Sequence, residues 1–279
     1  MKLLSLENPF GAPVYHEETV SSTFDAARLL ANENKAHGTV ICADYQEAGR
    51  GRLNRSWINE RGKNLLFTIL LRYGDFSLIP GLLTLKTGLA VSLAVEDCMP
   101  VLDGKLQVKW PNDVMLNLRE AQSAFKGGEA ACKKMEAIFK KIAGILIETD
   151  GNNVYIGVGV NVAQTEFPQE YSYKAGSIIQ ALPSLPLDVG FILLEKILFR
   201  LYEEIESPKV NEQDESWRER LLGRLYKKGE IVRFAEGAAD CGSVVEGTLS
   251  GLGPEGELLI VPKGEKKERS FVTGELLVY

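Results

Sequence analysis

Thr39-Val40-Ile41-Cys42-Ala43-Asp44-Tyr45 leads directly into Gln46-Glu47-Ala48-Gly49-Arg50-Gly51-Arg52-Leu53-Asn54-Arg55-Ser56-Trp57. The first stretch is short, apolar and rich in β-branched residues, which reads as a buried strand. The second alternates arginines with glycine and small residues, a pattern with neither the helical nor the strand period, and reads as a loop presented by that strand. Upstream, Ser21 to Lys35 places Phe24, Ala27, Leu30 and Ala31 on one helical face, with Ser22 as the cap, Asp25 completing a capping box and Gly38 ending the helix. Downstream, Asn64 to Arg72 reads as a second strand, Ile79 to Asp97 as a sparsely charged helix buried between layers, and Leu106 to Trp110 as a strand closed by Pro111. Strands alternating with helices in this way specify an α/β sheet.

Further out, Lys141 to Thr149 and Asn153 to Val162 form a hairpin joined at Asp150-Gly151-Asn152, and helical spacing returns at Leu187 to Glu206 and Asp214 to Leu222. After Gly223 only short β-rich runs remain: Glu230 to Phe234, Ser243 to Leu249, Leu258 to Val261, Ser270 to Val272 and Leu276 to Tyr279. They predict a small barrel, so the chain divides into an α/β domain over 1–222 and a β domain over 223–279. Asn117 to Lys140 interrupts the order. Gly127-Gly128 precedes an amphipathic helix over Glu129 to Lys140, with Ala131, Met135, Ile138 and Phe139 on one side, and the segment reads as a surface insertion in preference to a partner-binding helix.

With 279 residues, 45% of them hydrophobic and 25% charged, the composition is that of a globular protein with a real core. A net charge of −6 excludes a sequence-wide basic field for nucleic acid or anionic membrane. Cys42, Cys98, Cys132 and Cys241 are isolated and only His16 and His37 could join them, which argues against a zinc cage or a disulfide framework. No run approaches the about 20 apolar residues that cross a bilayer, and the N-terminus reaches Glu7, Asn8 and Pro9 before a secretory run can build. The expectation is a cytoplasmic protein without membrane contact.

Four segments carry candidate chemistry. Arg50, Arg52 and Arg55 offer planar forks for phosphate or carboxylate beside glycines that permit close approach, a folding lid over an anion; a solvated basic turn or an RNA-contacting loop has the same composition. Lys109-Trp110-Pro111-Asn112-Asp113 holds an amide and a carboxylate at a strand end, where Asp113 could position magnesium or a basic partner, or simply cap a turn. Lys141 leads an apolar strand and is either a cation for a phosphoryl oxygen or a snorkelling edge lysine. Gly157 and Gly159 suggest a flat ligand or another backbone on the strand that contains them, and Asn161 either binds an adenine or ribose edge or ends that strand.

Taken in order, Ser21-Ser22-Thr23, Tyr45 to Trp57, Lys109 to Asp113, Lys141 to Glu148 and Gly157 to Val162 resemble the biotin protein ligase family, the biotin-[acetyl-CoA-carboxylase] ligases. The resemblance runs from the first helix to the end, where Gly274-Glu275 resembles the family's SH3-like C-terminal domain. It implies a central mixed β-sheet flanked by helices, of the class II synthetase-like biotin/lipoate ligase fold, with a small SH3-like barrel.

It also implies an activity, in which biotin and MgATP give biotinyl-5′-adenylate and pyrophosphate, and the biotinyl group then passes to one lysine of a biotin carboxyl carrier protein. By the same resemblance Ser22, Thr23 and Gln46 contact biotin, and Arg50, Gly51 and Arg52 close over its carboxylate and the adenylate phosphate. Lys141 touches biotin and the reacting phosphate, Trp57 and Asn161 the adenosine, and Asp113 lies near the carrier lysine and Mg2+. Arg52, Lys141 and Asp113 form the expected catalytic set. Two departures stand out: Phe24 and Ser21 where the family carries Asp-Ser-Thr-Asn, and Asn54 where it carries glycine. The motifs begin at Ser21, so no DNA-reading domain is expected; a free β edge would allow a homodimer. Competing readings are a lipoate or octanoate protein ligase, a biotin-binding sensor without transfer activity, and an RNA-binding protein.

Overall fold

Leu65 to Leu71 are buried without exception, so the strand they build must be covered on both faces. In the computed structural model, which describes every residue except 76–78, 80–81, 126–137, 152, 208–215, 238–242 and 278–279, that strand lies at the heart of the main sheet. The chain runs through β1 (Lys2–Leu4), β2 (Val14–Glu17), α1 (Thr23–Asn32), β3 (Thr39–Ala43), β4 (Asn64–Arg72), α2 (Leu83–Cys98), β5 (Leu106–Lys109) and β6 (Asp113–Asn117). It continues with α3 (Leu118–Phe125), β7 (Phe139–Asp150), β8 (Asn153–Asn161), α4 (Val189–Ile205) and α5 (Ser216–Leu222). Last come β9 (Ile231–Glu236), β10 (Val244–Leu252), β11 (Leu258–Pro262), β12 (Arg269–Phe271) and β13 (Gly274–Leu277).

The main sheet has the order β1-β2-β3-β4-β8-β7-β6-β5 and is mixed, since β2 and β3 are parallel while the remaining pairs are antiparallel. Its two faces are treated differently. Phe67, Ile69 and Leu71 share one core with Ile145, Ile156, Ala90, Val91, Leu194 and Leu198, so α2 and α4 cover this face. On the other face α1 alone among the described helices packs down, placing Phe24, Ala27 and Leu30 against Ile41, Leu70 and Tyr155. Among the described residues, the rest of that face, beyond α1 and toward β7, β6 and β5, carries no helix and becomes the cavity described below.

The second sheet, β12-β11-β10-β9-β13, is antiparallel throughout and bends at a bulge between Leu249 and Gly251. Its core of Val232, Phe234, Leu258, Ile260 and Phe271 is completed by Leu85 and Leu89 of α2 and by Trp110. Helix α2 therefore serves both cores, which is why it is buried nearly all round. Val108 of β5 exchanges backbone hydrogen bonds with Arg224 and Tyr226 at 2.8 and 3.0 Å, closing that edge of the main sheet. Among the described strands, β1 is left as its open edge.

Some expectations shift. The capping box does not form: Ser22 Oγ accepts from the Phe24 N–H at 3.2 Å, but the Asp25 carboxylate turns instead to Arg50. The insertion begins in the core, with Leu118 and Ala121 buried in α3, and Phe139 and Lys140 already belong to β7, which corrects the end of the amphipathic helix. Most of that helix, together with Cys132, Cys241, Asn152, Asp214 and Tyr279, lies outside the described residues. The short strands β1, β2 and β6 carry too little alternation to be read from sequence.

Candidate active site

Gly157 and Gly159 of β8 and Gly144 of β7 form a bare floor on the uncovered face. A Cβ placed on Gly157 would fall 2.4 Å from the Phe24 ring, one on Gly159 2.5 Å from the Trp57 indole, and one on Gly144 2.8 Å from the same indole. The glycines thus let two aromatic rings rest on backbone, in place of the flat ligand or second backbone expected there. The Trp57 Nε1–H is buried without a hydrogen bond, an unmet donor inside the cavity.

At the inner end, over β4 and β8, the Thr23 N–H and hydroxyl both donate to Gln46 Oε1 at 2.8 and 3.0 Å, and the Thr68 hydroxyl donates to Thr23 Oγ1 at 2.9 Å. The carboxamide is fixed by its oxygen, and its NH2 group has no partner among the described residues. Ser22 stands apart from the cavity lining, engaged as the cap of α1.

The loop arginines have three different settings. Arg50 Nη1 donates to Asp25 Oδ1 at 2.8 Å, and its guanidinium stacks 5.4 Å from the centre of Phe24, leaving Nε and Nη2 buried without a hydrogen bond. Arg52 Nη1 donates to Asn112 Oδ1 at 3.2 Å. Arg55 makes a bidentate pair with Glu275 of β13 at 3.0 and 2.7 Å, which holds that carboxyl below its usual range against the opposing effect of burial. Between them Leu53 and Asn54 adopt left-handed φ of 55° and 57°. Asparagine tolerates this conformation, so Asn54 can stand where the family has glycine.

Lys109 and Asp113 are directly opposite residues at the β5–β6 turn, so their side chains share a face. The intervening Asn112 donates from Nδ2 to the Ile145 carbonyl at 2.9 Å, fixing the turn to β7. On β7 a bulge makes Val114 pair with Ala143 but Met115 with Lys141, so Ile142 is extra. Ile142 and Ala143 both enter the core, and Lys141 is re-aimed into the cavity. There its Nζ lies 2.6 Å from Asp113 Oδ1, while Lys109 Nζ lies 3.9 Å from Oδ2. Burial pushes the Lys109 ammonium down from its usual pKa, opposed by Asp113 and Glu275. Asn161 is held at both ends of its amide: it donates to the Gly176 carbonyl at 2.9 Å and accepts from Asn64 at 3.0 Å.

Thr23, Gln46, Arg50, Gly51, Arg52, Trp57, Asp113, Lys141 and Asn161 therefore meet at one cavity. Its charge is opposite to that of the whole chain: Arg50, Arg52, Arg55, Lys109, Lys141 and Lys174 face two carboxylates, Asp113 and Glu275. Such a site selects an anionic ligand. Residues 17–161 match the model of the biotin/lipoate A/B protein ligase family. The chain belongs to that family.

Among curated relatives of this ligase family, the chain is 33% identical over 175 residues to the bifunctional ligase/repressor of Bacillus subtilis, covering 60% of this chain and 46% of that protein. It is 31% identical to the biotin–[acetyl-CoA-carboxylase] ligase of Mycobacterium tuberculosis, covering 68% and 61%. The chain spans about half the length of the first of these relatives. The biotin protein ligase of Aquifex aeolicus, solved in complex with biotin and ATP, superimposes with a TM-score of 0.72 at 26% identity over 95% of this chain and 97% of that one.

Several residues of the ligase cavity escaped the sequence reading. Lys174, flanked by the rings of Tyr171 and Tyr173 at 5.0 and 5.4 Å, and Phe167 come from an irregular segment without periodicity. Glu275 comes from the far end of the chain. Lys109 stands in a motif already singled out, and its signal was an ionisable residue within an alternating strand.

Proposed function

We propose that this protein is a biotin protein ligase that joins biotin to ATP, forming biotinyl-5′-adenylate and pyrophosphate, and then transfers biotin to a lysine of a biotin carboxyl carrier protein in the cytoplasm. The observation that carries the reading is the cavity itself: a neutral amide and hydroxyl end at Gln46 and Thr23, leading along a glycine floor to a cluster of cations. A neutral head group with a carboxylate tail fits that polarity, and a nucleotide phosphate fits the cationic end.

Attack of a carboxylate on the α-phosphate brings two anions together, and Arg52 and Lys141 lower the barrier by neutralising the charge that develops on the phosphoryl oxygens. Arg50, pinned to α1, anchors the base of the loop; its Nε lies 3.5 Å from Glu148, and Nη2 remains as a donor for the acyl carboxylate. Trp57 and the loop exclude water from the mixed anhydride. In the second step Asp113, beside Lys141, orients the incoming carrier lysine and accepts its proton. Asp113 Oδ1 is buried 2.6 Å from Lys141 Nζ without a hydrogen bond, so this carboxylate is the group that would meet magnesium arriving with the nucleotide, and magnesium there would supply positive charge to the phosphates. No cluster of three or more His, Cys, Asp or Glu stands among the described residues to hold a metal by itself. No helix among the described residues is long and apolar enough to cross a membrane.

The decisive experiment measures pyrophosphate release from purified protein and MgATP with biotin, with lipoate and with no acid, in the absence of carrier. Release that depends on biotin is expected. Release with lipoate alone would reassign the protein to lipoate ligation, and biotin binding without release would make it a sensor.

A further inference from the structure

Lys109 has no part in the scheme above, yet its side chain is nine-tenths buried and lines the cavity. It makes no hydrogen bond within the described residues, and its nearest opposite charge is Asp113 Oδ2 at 3.9 Å. A buried ammonium without a hydrogen bond is costly, and such a group persists where a ligand supplies the missing partner.

The sheet order says which part of the ligand that is. The acyl end, at Thr23, Gln46 and Phe24, lies over β4 and β8; Lys141 stands on β7; Asp113 follows on β6 and Lys109 on β5. Neighbouring strands are about 4.8 Å apart, so β5 lies roughly 10 Å beyond β7, on the side away from the acyl pocket. In the adenylation step a carboxylate oxygen bonds to the α-phosphorus while the bond from that phosphorus to the α–β bridging oxygen breaks. Pyrophosphate departs with that oxygen and its electron pair, in line with the attack. With the nucleophile entering from β8 and the α-phosphate at β7, the leaving group extends over β6 and β5. A polyanion there would meet the Asp113 carboxylate unless a second cation stood beside it.

Resting on the ligase reading, we infer that Lys109 is the residue that binds the pyrophosphate leaving group, offsetting Asp113 and supplying the charge-assisted hydrogen bonds that its amine lacks in the free protein. Lys174 lines the same cavity and adds to the positive charge there, while Arg55 is held by Glu275. Lys141 serves the phosphate under attack, and Lys109 the two that leave.

The test runs the first step backwards. Purified protein is given preformed biotinyl-adenylate and increasing pyrophosphate, and ATP formation is measured for the wild type, Lys109→Gln and Lys109→Arg. Loss of one charged hydrogen-bonding group predicts a rise on the order of 10- to 100-fold in the pyrophosphate concentration giving half-maximal ATP for Lys109→Gln, with substantial recovery in Lys109→Arg. Biotin affinity, which depends on the far end of the cavity, should stay within about twofold, a separation that mere misfolding would not give. An unchanged pyrophosphate dependence, or a loss of biotin affinity equal to the loss of pyrophosphate affinity, overturns the assignment. Failure of the wild type to form ATP from biotinyl-adenylate would instead sink the ligase reading on which it rests.

Discussion

Adding a single carbon at Gly159 would bring it within 2.5 Å of the Trp57 indole, with the β8 backbone beneath and the loop above. Gly159→Ala is therefore expected to cost about 1–3 kcal/mol through overpacking and to displace the ring from the floor. Urea unfolding followed by Trp fluorescence would show both, and an unshifted midpoint with unchanged emission would refute the floor as described. The residue scale is also where the sequence misled most. Asp25 has the right spacing for a capping box, yet an arginine twenty-five positions away takes its carboxylate. A charged hydrogen bond to Arg50 outweighs the weaker return to a backbone N–H at an exposed helix end.

At the scale of elements, the C-terminus of α4 meets β4 and the segment before β3 through Glu206. Its carboxylate accepts from the Tyr73 hydroxyl at 2.8 Å and lies 3.5 Å from His37 Nε2. The bond to Glu206 raises the His37 pKa above its ordinary value, with burial acting in the opposite direction. A raised folded-state pKa stabilises the protein fully below about pH 6.5, the unfolded value, and that contribution is lost as pH climbs through the folded value. Thermal unfolding should thus occur at lower temperature at pH 8 than at pH 6, and His37→Gln should flatten part of this dependence. An identical pH profile in the variant would show that the contact contributes nothing. Longer elements were legible because their burial is strongly patterned: β4 spans Asn64–Arg72 as expected, and α2 and α4 differ only at their ends. The β7 bulge was not legible. Strict alternation would turn Lys141, with Ala143 and Ile145, toward the core, and only pairing with β6 inserts the extra Ile142.

Across the whole molecule, the second sheet is fused to the candidate site. Trp110 buries its ring against Phe234, and its indole N–H donates to the Gly256 carbonyl at 3.0 Å. From the same sheet Glu275 reaches the cavity and holds Arg55. Removing residues 223–279 would expose Leu85, Leu89 and Trp110 and open the β5 edge, so the truncated chain should aggregate in preference to surviving as a smaller active ligase. Size-exclusion chromatography with a pyrophosphate assay on the fractions tests this, and a monodisperse, active fragment would show that the second sheet is dispensable.

By itself the sequence determined the alternation of strands and helices, the change to strands alone after Gly223, and the family, because periodicity and ordered motifs are local properties of the chain. It also singled out most of the residues that meet at the cavity. What it did not contain was their division of labour: that Arg50 pairs with Asp25 while Arg52 reaches Asn112, that Trp57 and Phe24 occupy the glycine floor, and that Lys109 is buried without a hydrogen bond among the described residues. Those outcomes depend on which distant groups compete for each charge and how adjacent strands register, and such competition is resolved only when the chain has folded.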